Sequence, residues 1–171
     1  MNKNLANSKL SESIFKSRTV CINRVVKVIE GGRRFKFSAL VVVGDGNGLI
    51  GFGVGKSGEV NSAVSKGEMA AKRNLIKFPI LHGTIPHECY GKHDGNYVFL
   101  KPAIEGTGVK AGGVARMVCE IGGIENVISK CFKRNSPYNV IQATFNALKK
   151  LRDPIKIAKD RGVSLEKVFK G

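Results

Sequence analysis

Residues Gly44–Lys56 read GDGNGLIGFGVGK, six glycines in thirteen positions, and the fold turns on what so much glycine is for. Glycine costs backbone entropy inside a regular element, so its density in an apolar run needs a structural reason. Upstream, Phe35, Phe37, Ala39, Val41 and Val43 alternate with Lys36, Ser38, Leu40 and Val42, the period of a half-buried strand. Asp45-Gly46-Asn47-Gly48 then supplies the positive-φ residues of a tight hairpin turn. Beyond it Phe52 and Val54 alternate with Gly51, Gly53 and Gly55. This predicts a strand with one face nearly stripped of side chains, where another backbone can approach closely. From Glu59 the period changes: Val60, Ala63, Val64, Gly67, Ala71, Leu75 and Phe78 follow helical spacing, with Lys66, Lys72, Arg73 and Lys77 mostly elsewhere. The expected order is strand, hairpin, glycine-faced strand and a basic amphipathic helix ended by Phe78-Pro79.

Two nucleotide-binding patterns touch this segment. A Walker phosphate loop closes on Gly-Lys-Ser, as Gly55-Lys56-Ser57 does, but its first glycine would fall on Ile50. Gly46–Gly51 matches GxGxxG, yet that fingerprint must open a helix, and strand-like alternation follows here. A hairpin and a flat strand account for the glycines better.

The 171-residue chain carries 29 Lys and Arg against 13 Asp and Glu, a formal charge of +16. Such an excess favours a polyanionic partner, nucleic acid first and an anionic membrane surface second. No apolar run has the length of a membrane span, and Met1–Ser17 lacks the apolar core of an export signal. We therefore expect a cytoplasmic protein with no membrane partner. Apolar content of 42% supports folded domains. Cys21, Cys89, Cys119 and Cys131 form no CxxC pair and read as reduced thiols. His82, His87, Cys89 and His93 offer a possible metal set, but their spacing fits no common structural zinc template. No metal and no cofactor are expected.

Composition and periodicity divide the chain into a flexible basic arm over 1–17, a first domain over 18–83, a second α+β domain over 84–153 and a partly helical tail over 154–171. Arg18–Ile29 reads as a first strand and Glu30–Arg34 as a turn. The span Arg18–Lys36 holds six basic residues and only Glu30 as acid. A solvated face explains some of that charge; a projecting Arg-rich loop at Gly31–Arg34 reads better as an RNA contact. The β-β-β-α order resembles the double-stranded-RNA-binding fold, which reads duplex shape and phosphate. His82-Gly83-Thr84 reads as a loose linker, and Thr84–Tyr90 with Asn96–Ala103 as strands joined through Gly91–Gly95. Glu105–Gly113 (EGTGVKAGG) is a glycine-rich loop opening a helix over Val114–Ile121. Its free amides, with Lys110, suit a phosphate; ordinary capping of a flexible loop accounts for the sequence equally well. Ile124–Phe132 reads as a strand with a basic exit at Lys133-Arg134-Asn135. Ser136-Pro137 starts a last long helix whose positions Val140, Ile141, Thr144, Phe145, Leu148 and Leu151 face a core until Asp153-Pro154.

Several stretches, in order, resemble the bacterial family of the fifth protein of the small ribosomal subunit. They are Gly31–Phe35 with Gly44–Lys56; Lys101-Pro102-Ala103, Glu105–Gly108, Ala111-Gly112-Gly113 and Arg116; then Asn139-Val140, Ala143-Thr144, Ala158-Lys159 and Arg161-Gly162. The resemblance runs from about Asn23 to Val168. It implies a non-enzymatic α+β constituent of the small ribosomal subunit that binds small-subunit ribosomal RNA and supports translational accuracy. The loop at Arg24, Lys27, Gly31, Gly32 and Arg33 matches the family's RNA loop near the spectinomycin site. Val26 replaces a frequent serine there, and Glu30 a common basic residue. Gly108 and Arg116 match an interface with small-subunit protein four. A contact with protein eight through the second domain, and a basic lining for messenger RNA where it enters the subunit, are also implied.

The expected RNA-contact set is Arg18, Arg24, Lys27, Gly31, Gly32, Arg33, Arg34, Lys36, Asn47, Gly51, Gly53, Lys56 and Lys110, with Gly108 and Arg116 as a protein interface. No catalytic residue and no small-molecule substrate are expected. Two other functions fit less of the chain. A phosphotransferase using the Glu105–Gly113 loop lacks the paired carboxylates or nucleophile its chemistry needs. A free-standing duplex-RNA binder would act without an assembling subunit.

Overall fold

The computed structural model describes residues 15–133 and 136–170. Most of the expected N-terminal arm, and the basic exit at Arg134-Asn135, lie outside the described residues. Strands β1 (Lys16–Ile29), β2 (Gly32–Gly44) and β3 (Leu49–Ser57) make an antiparallel meander. Helix α1 (Val60–Arg73) follows, and the short strand β4 (Leu75–Lys77) pairs with the edge of β3. The second half contains β5 (Cys89–His93), β6 (Asn96–Pro102), β7 (Val109–Lys110), α2 (Gly113–Gly122), β8 (Val127–Phe132) and α3 (Pro137–Lys149). Its sheet runs β5-β6-β8-β7, with only β7 and β8 parallel. Helices α4 (Pro154–Arg161) and α5 (Leu165–Lys170) end the chain. The fold is α+β: a strand-rich N-terminal domain, then a second α+β domain.

The β2–β3 turn forms as its residues require. Gly46 and Gly48 take φ of 76° and 84°. The Asp45 carboxylate accepts the N–H groups of Asn47 at 2.8 Å and Leu49 at 3.0 Å. Such a side-chain bond to the backbone two residues on is the Asx turn. The bare face of β3 also has its occupant. A Cβ at Gly51, Gly53 or Gly55 would collide with the backbone oxygens of Ala71, Gly67 and Ala63, one turn of α1 after another. The helix presents Ala63, Gly67 and Ala71 to the sheet, all buried, so small residues on both elements let their backbones nearly touch. Ala39, Val41 and Val43 of β2 complete this layer.

The opposite face of the sheet carries Leu40, Val42 and Ile50, which join one continuous core with Val118, Ile121, Ile141 and Phe145 of the second domain. Phe52 meets Phe145 edge-on with ring centroids 4.7 Å apart. The hairpin turn is pinned across the same boundary: Gly46 N–H donates to Ile121 O at 3.2 Å and Gly48 N–H to Gly122 O at 2.9 Å. Those carbonyls end α2 and would otherwise lack partners, so the turn of one domain caps a helix of the other.

Several boundaries differ from expectation. Helix α1 stops at Arg73, not Phe78, because Leu75–Lys77 pairs with Leu49–Gly51 as a strand; Phe78 instead fills the core between the domains. The supposed loose linker is a closed turn, with reciprocal bonds between Leu81 and Thr84 of 2.8 and 2.9 Å. Gly91 lies inside β5 rather than in a loop, facing the backbone of Ala143 on α3, and the hairpin turns at Asp94-Gly95. Helix α3 ends at Lys149; Asp153, expected to close it, caps α4 through the N–H of Ile155 at 3.0 Å.

Candidate nucleic-acid interface

Strand β3 pairs with β2 only from Phe37 onward, so the distal part of the β1–β2 hairpin has no third strand beside it. Residues Ile22–Val28 and Gly32–Lys36 are exposed throughout: a two-stranded ribbon reaching beyond the body. An isolated ribbon is marginally stable in water, yet this one exposes Val28 (74%), Val26 (47%) and Phe35 (46%). Those side chains are uncovered in the free chain, which suits a segment that finishes its packing on a partner.

The pairing register sorts the ribbon's cations. Lys27 stands opposite Arg34, and Val25 opposite Lys36, placing Lys27, Arg34 and Lys36 on the face continuous with Ser38 and Leu40. Arg24, Arg33 and Phe35 share the other face, where the Arg24 guanidinium sits 3.8 Å from the centre of the Phe35 ring. Stacking fixes the direction of that guanidinium while leaving its N–H edge available to phosphate. Gly32 closes the turn at φ 124°, and no neighbour lies within 4 Å of a Cβ built at Gly31 or Gly32, so the tip is open on all sides. Lys56, opposite Ser38, extends the first face inward. It reaches a cleft of about 410 Å³ lined also by Asn23, Ser38 and Tyr138.

Other expected sites lie apart from the ribbon. Gly51 and Gly53 are buried beneath α1, which corrects their place in the RNA-contact set: their glycines admit a helix, not a nucleic acid. Arg18 is 2.7 Å from Glu120 on α2, and Arg116 holds the other oxygen of that carboxylate at 2.8 Å. Arg18 therefore bridges the domains. Hydrogen bonds from Arg116 and then Arg18 hold the Glu120 carboxyl below its ordinary value of 4.5. Asn47 is exposed at the hairpin turn. Gly108 sits at φ 70°, its N–H held by Asn126 Oδ1 at 3.0 Å, and Ile104 nearby is 85% exposed. Lys110 lies at the opening of α2. Among the former metal candidates, His87 accepts the Arg152 N–H at 3.1 Å, and burial raises the Cys89 thiol to about 11.

One surface escaped the sequence reading. The face of the second sheet turned away from α3 shows Tyr90, Lys92, Lys101, Ile128, Lys130 and Phe132 exposed. Tyr90 and Phe99 stack at 4.5 Å, and Lys92 and Lys133 flank the Tyr97 ring. The alternation Tyr90/Lys92 and Ile128/Lys130/Phe132 was present in the sequence as the signal. Misplacing β5 over Thr84–Tyr90 hid it.

The basic ribbon, held out by a two-layer body with its cations sorted onto two faces, is a surface suited to a polyanion. Comparison narrows the class. Family profiles for "Ribosomal protein S5, N-terminal domain" and "Ribosomal protein S5, C-terminal domain" match residues 15–79 and 91–161. The chain is 53% identical over 156 residues to "Small ribosomal subunit protein uS5" of Porphyromonas gingivalis, and equally so to that of Bacteroides thetaiotaomicron, covering 91% of each chain. It is 48% identical over 165 residues to the uS5 protein of Salinibacter ruber, covering 96% of this chain and 94% of the other. The chain belongs to the ribosomal protein S5 family. Membership makes it a structural constituent of the cytoplasmic small ribosomal subunit, and not an enzyme.

Proposed function

We propose that the chain organises small-subunit ribosomal RNA chiefly through the β1–β2 ribbon. The observation that carries this reading is the ribbon itself: Arg24, Lys27, Arg33, Arg34 and Lys36 exposed on a hairpin with no third strand, beside apolar side chains that the free chain leaves uncovered. Cations neutralise phosphates and fix position; Val26, Val28 and Phe35 suit apolar contact with sugar and base surfaces. The Gly31-Gly32 tip admits close backbone approach. Lys56 and Asn47 extend the contact toward the body, and Lys110 supplies a separate one. Arg18 contributes through the domain boundary rather than directly. The β-β-β-α order supports a duplex-binding mode for the N-terminal domain, with the division from the second domain at Gly83.

The same reading gives the second domain protein neighbours. Gly108 and Arg116, with Ile104 exposed in the loop before Gly108, suit a contact with small-subunit protein four, and protein eight would meet the second domain. Through these contacts, and a basic lining for incoming messenger RNA, the chain supports decoding accuracy. Site-specific photo-crosslinking in intact subunits tests each contact separately. A crosslinker at Phe35 is expected to capture small-subunit RNA, and one at Ile104 to capture protein four. Labels at Phe35 that reach only protein would remove the ribbon from the RNA interface.

A further inference from the structure

Strand register assigns the open face of the second sheet residue by residue. Val98 and Leu100 of β6 and Val127 of β8 point into the core, so their neighbours along each strand point out. Pairing sets those neighbours in rows across the sheet. Tyr90, Phe99 and Lys130 stand side by side in a middle row. Lys92, Tyr97 and Phe132 flank it on one side, and Lys101 with Ile128 on the other. Rings and ammonium groups therefore interleave over the whole face.

The charge on this face has one sign. Lys92, Lys101 and Lys130 meet no acid within the rows, and the Lys92 and Lys133 ammonium groups lie 5.2 and 5.4 Å from the centre of the Tyr97 ring. Of the acids flanking β5, Asp94 accepts the Asn139 side-chain amide of α3 at 3.1 Å, and Glu88 precedes the strand. Such a field suits a polyanion. The rings add what phosphate alone does not need. Tyr90 and Phe132 are exposed, and Tyr90 stacks on Phe99 with centroids 4.5 Å apart and planes at 29°. A duplex keeps its bases stacked inside, whereas unpaired bases stack on aromatic side chains. Protein interfaces also collect aromatics but are depleted in lysine, and every cation in these rows is a lysine.

We propose that this sheet face binds an unpaired stretch of RNA, with bases laid on the rings of Tyr90, Phe99 and Phe132 and phosphates held by Lys92, Lys101 and Lys130. The platform is rigid, since β6 is paired on both sides and Val98 and Leu100 bury its reverse completely. The face belongs to the second domain and is separate from the ribbon; it would hold RNA even if the ribbon touched none.

The chain has no tryptophan, so tyrosine emission reads this face directly. Tyr138 lies elsewhere, in the cleft beside Lys56, and Tyr138→Phe silences it while keeping a ring. The ribbon holds no tyrosine, and Arg33→Glu/Arg34→Glu in the same full-length chain weakens binding there, so the two surfaces are read apart. One arm titrates a short oligouridylate at constant ionic strength, the other a blunt RNA duplex. The single strand should quench the emission saturably and the duplex hardly at all. Phe132→Leu keeps apolar surface at an exposed position but removes the ring, so the fold stays while affinity for the single strand falls about tenfold. Lys130→Gln should lower the slope of log affinity against log salt by about 0.7, one phosphate of a single strand. No quenching by the single strand, equal quenching by the duplex, or a Phe132→Leu chain that binds as tightly as the parent would overturn the proposal. So would a crosslinker at Phe132 that captures only protein in intact subunits, which would make the face a protein interface.

Discussion

At Gly53 the backbone of α1 occupies the space a side chain would need, with Gly67 O, Ala71 N and the Ala70 methyl around the missing Cβ. Gly53→Val should therefore cost about 3 kcal/mol, the upper range for overpacking a tight interface, read as a lower urea midpoint. RNA affinity per folded molecule should stay unchanged; a selective loss of affinity in a stable variant would return Gly53 to the RNA interface. Thiol chemistry makes a second residue-scale prediction. Burial raises Cys119 to about 12 and Cys89 to about 11, so both stay protonated and shielded at pH 8. Alkylation should reach the half-buried Cys21 and Cys131 first, slowly because burial raises them too. Rapid modification of Cys119 in the folded chain would contradict the shared core.

The ribbon is the element whose role separates most cleanly from stability. Arg33 and Arg34 are exposed and make no ion pair within the described residues, so Arg33→Glu/Arg34→Glu should leave the melting temperature nearly unchanged. RNA binding should weaken, and the slope of log affinity against log salt should fall by about 2, one for each lost phosphate contact. An unchanged slope would remove the tip from the interface. Elements were legible in the sequence where a local rule forced them: GDGNG made its turn, and alternating glycine made a strand whose second backbone proved to be α1. They were illegible where pairing decided. Leu75 and Phe78 keep helical spacing, yet an available β3 edge drew Leu75–Lys77 into a strand. Gly91 reads as a loop until α3 is known to cross it. The RNA reading of Gly51 and Gly53 failed for the same reason, since sequence shows that a backbone comes close but not which one.

At the scale of the whole molecule, the two domains act as one body because the N-terminal sheet buries a face on each side. The Arg18–Glu120–Arg116 cluster ties their rim. Glu120 is folded with its carboxyl below 4.5, so its contribution is present above that pH and is lost as pH falls through the lowered value. Glu120→Gln should reduce stability at pH 7 by less than about 1 kcal/mol, as for exposed ion pairs, and flatten the acid limb of stability. A variant with an unaltered acid limb would show the cluster idle. A rigid body with a mostly uncompensated charge of +16 needs a large anionic partner. The most direct measurement is sedimentation of cell extract through sucrose at moderate and high salt. The account predicts that the chain travels with the small ribosomal subunit in near-equal amount to its RNA; a chain found free at the top of the gradient under both conditions would contradict it.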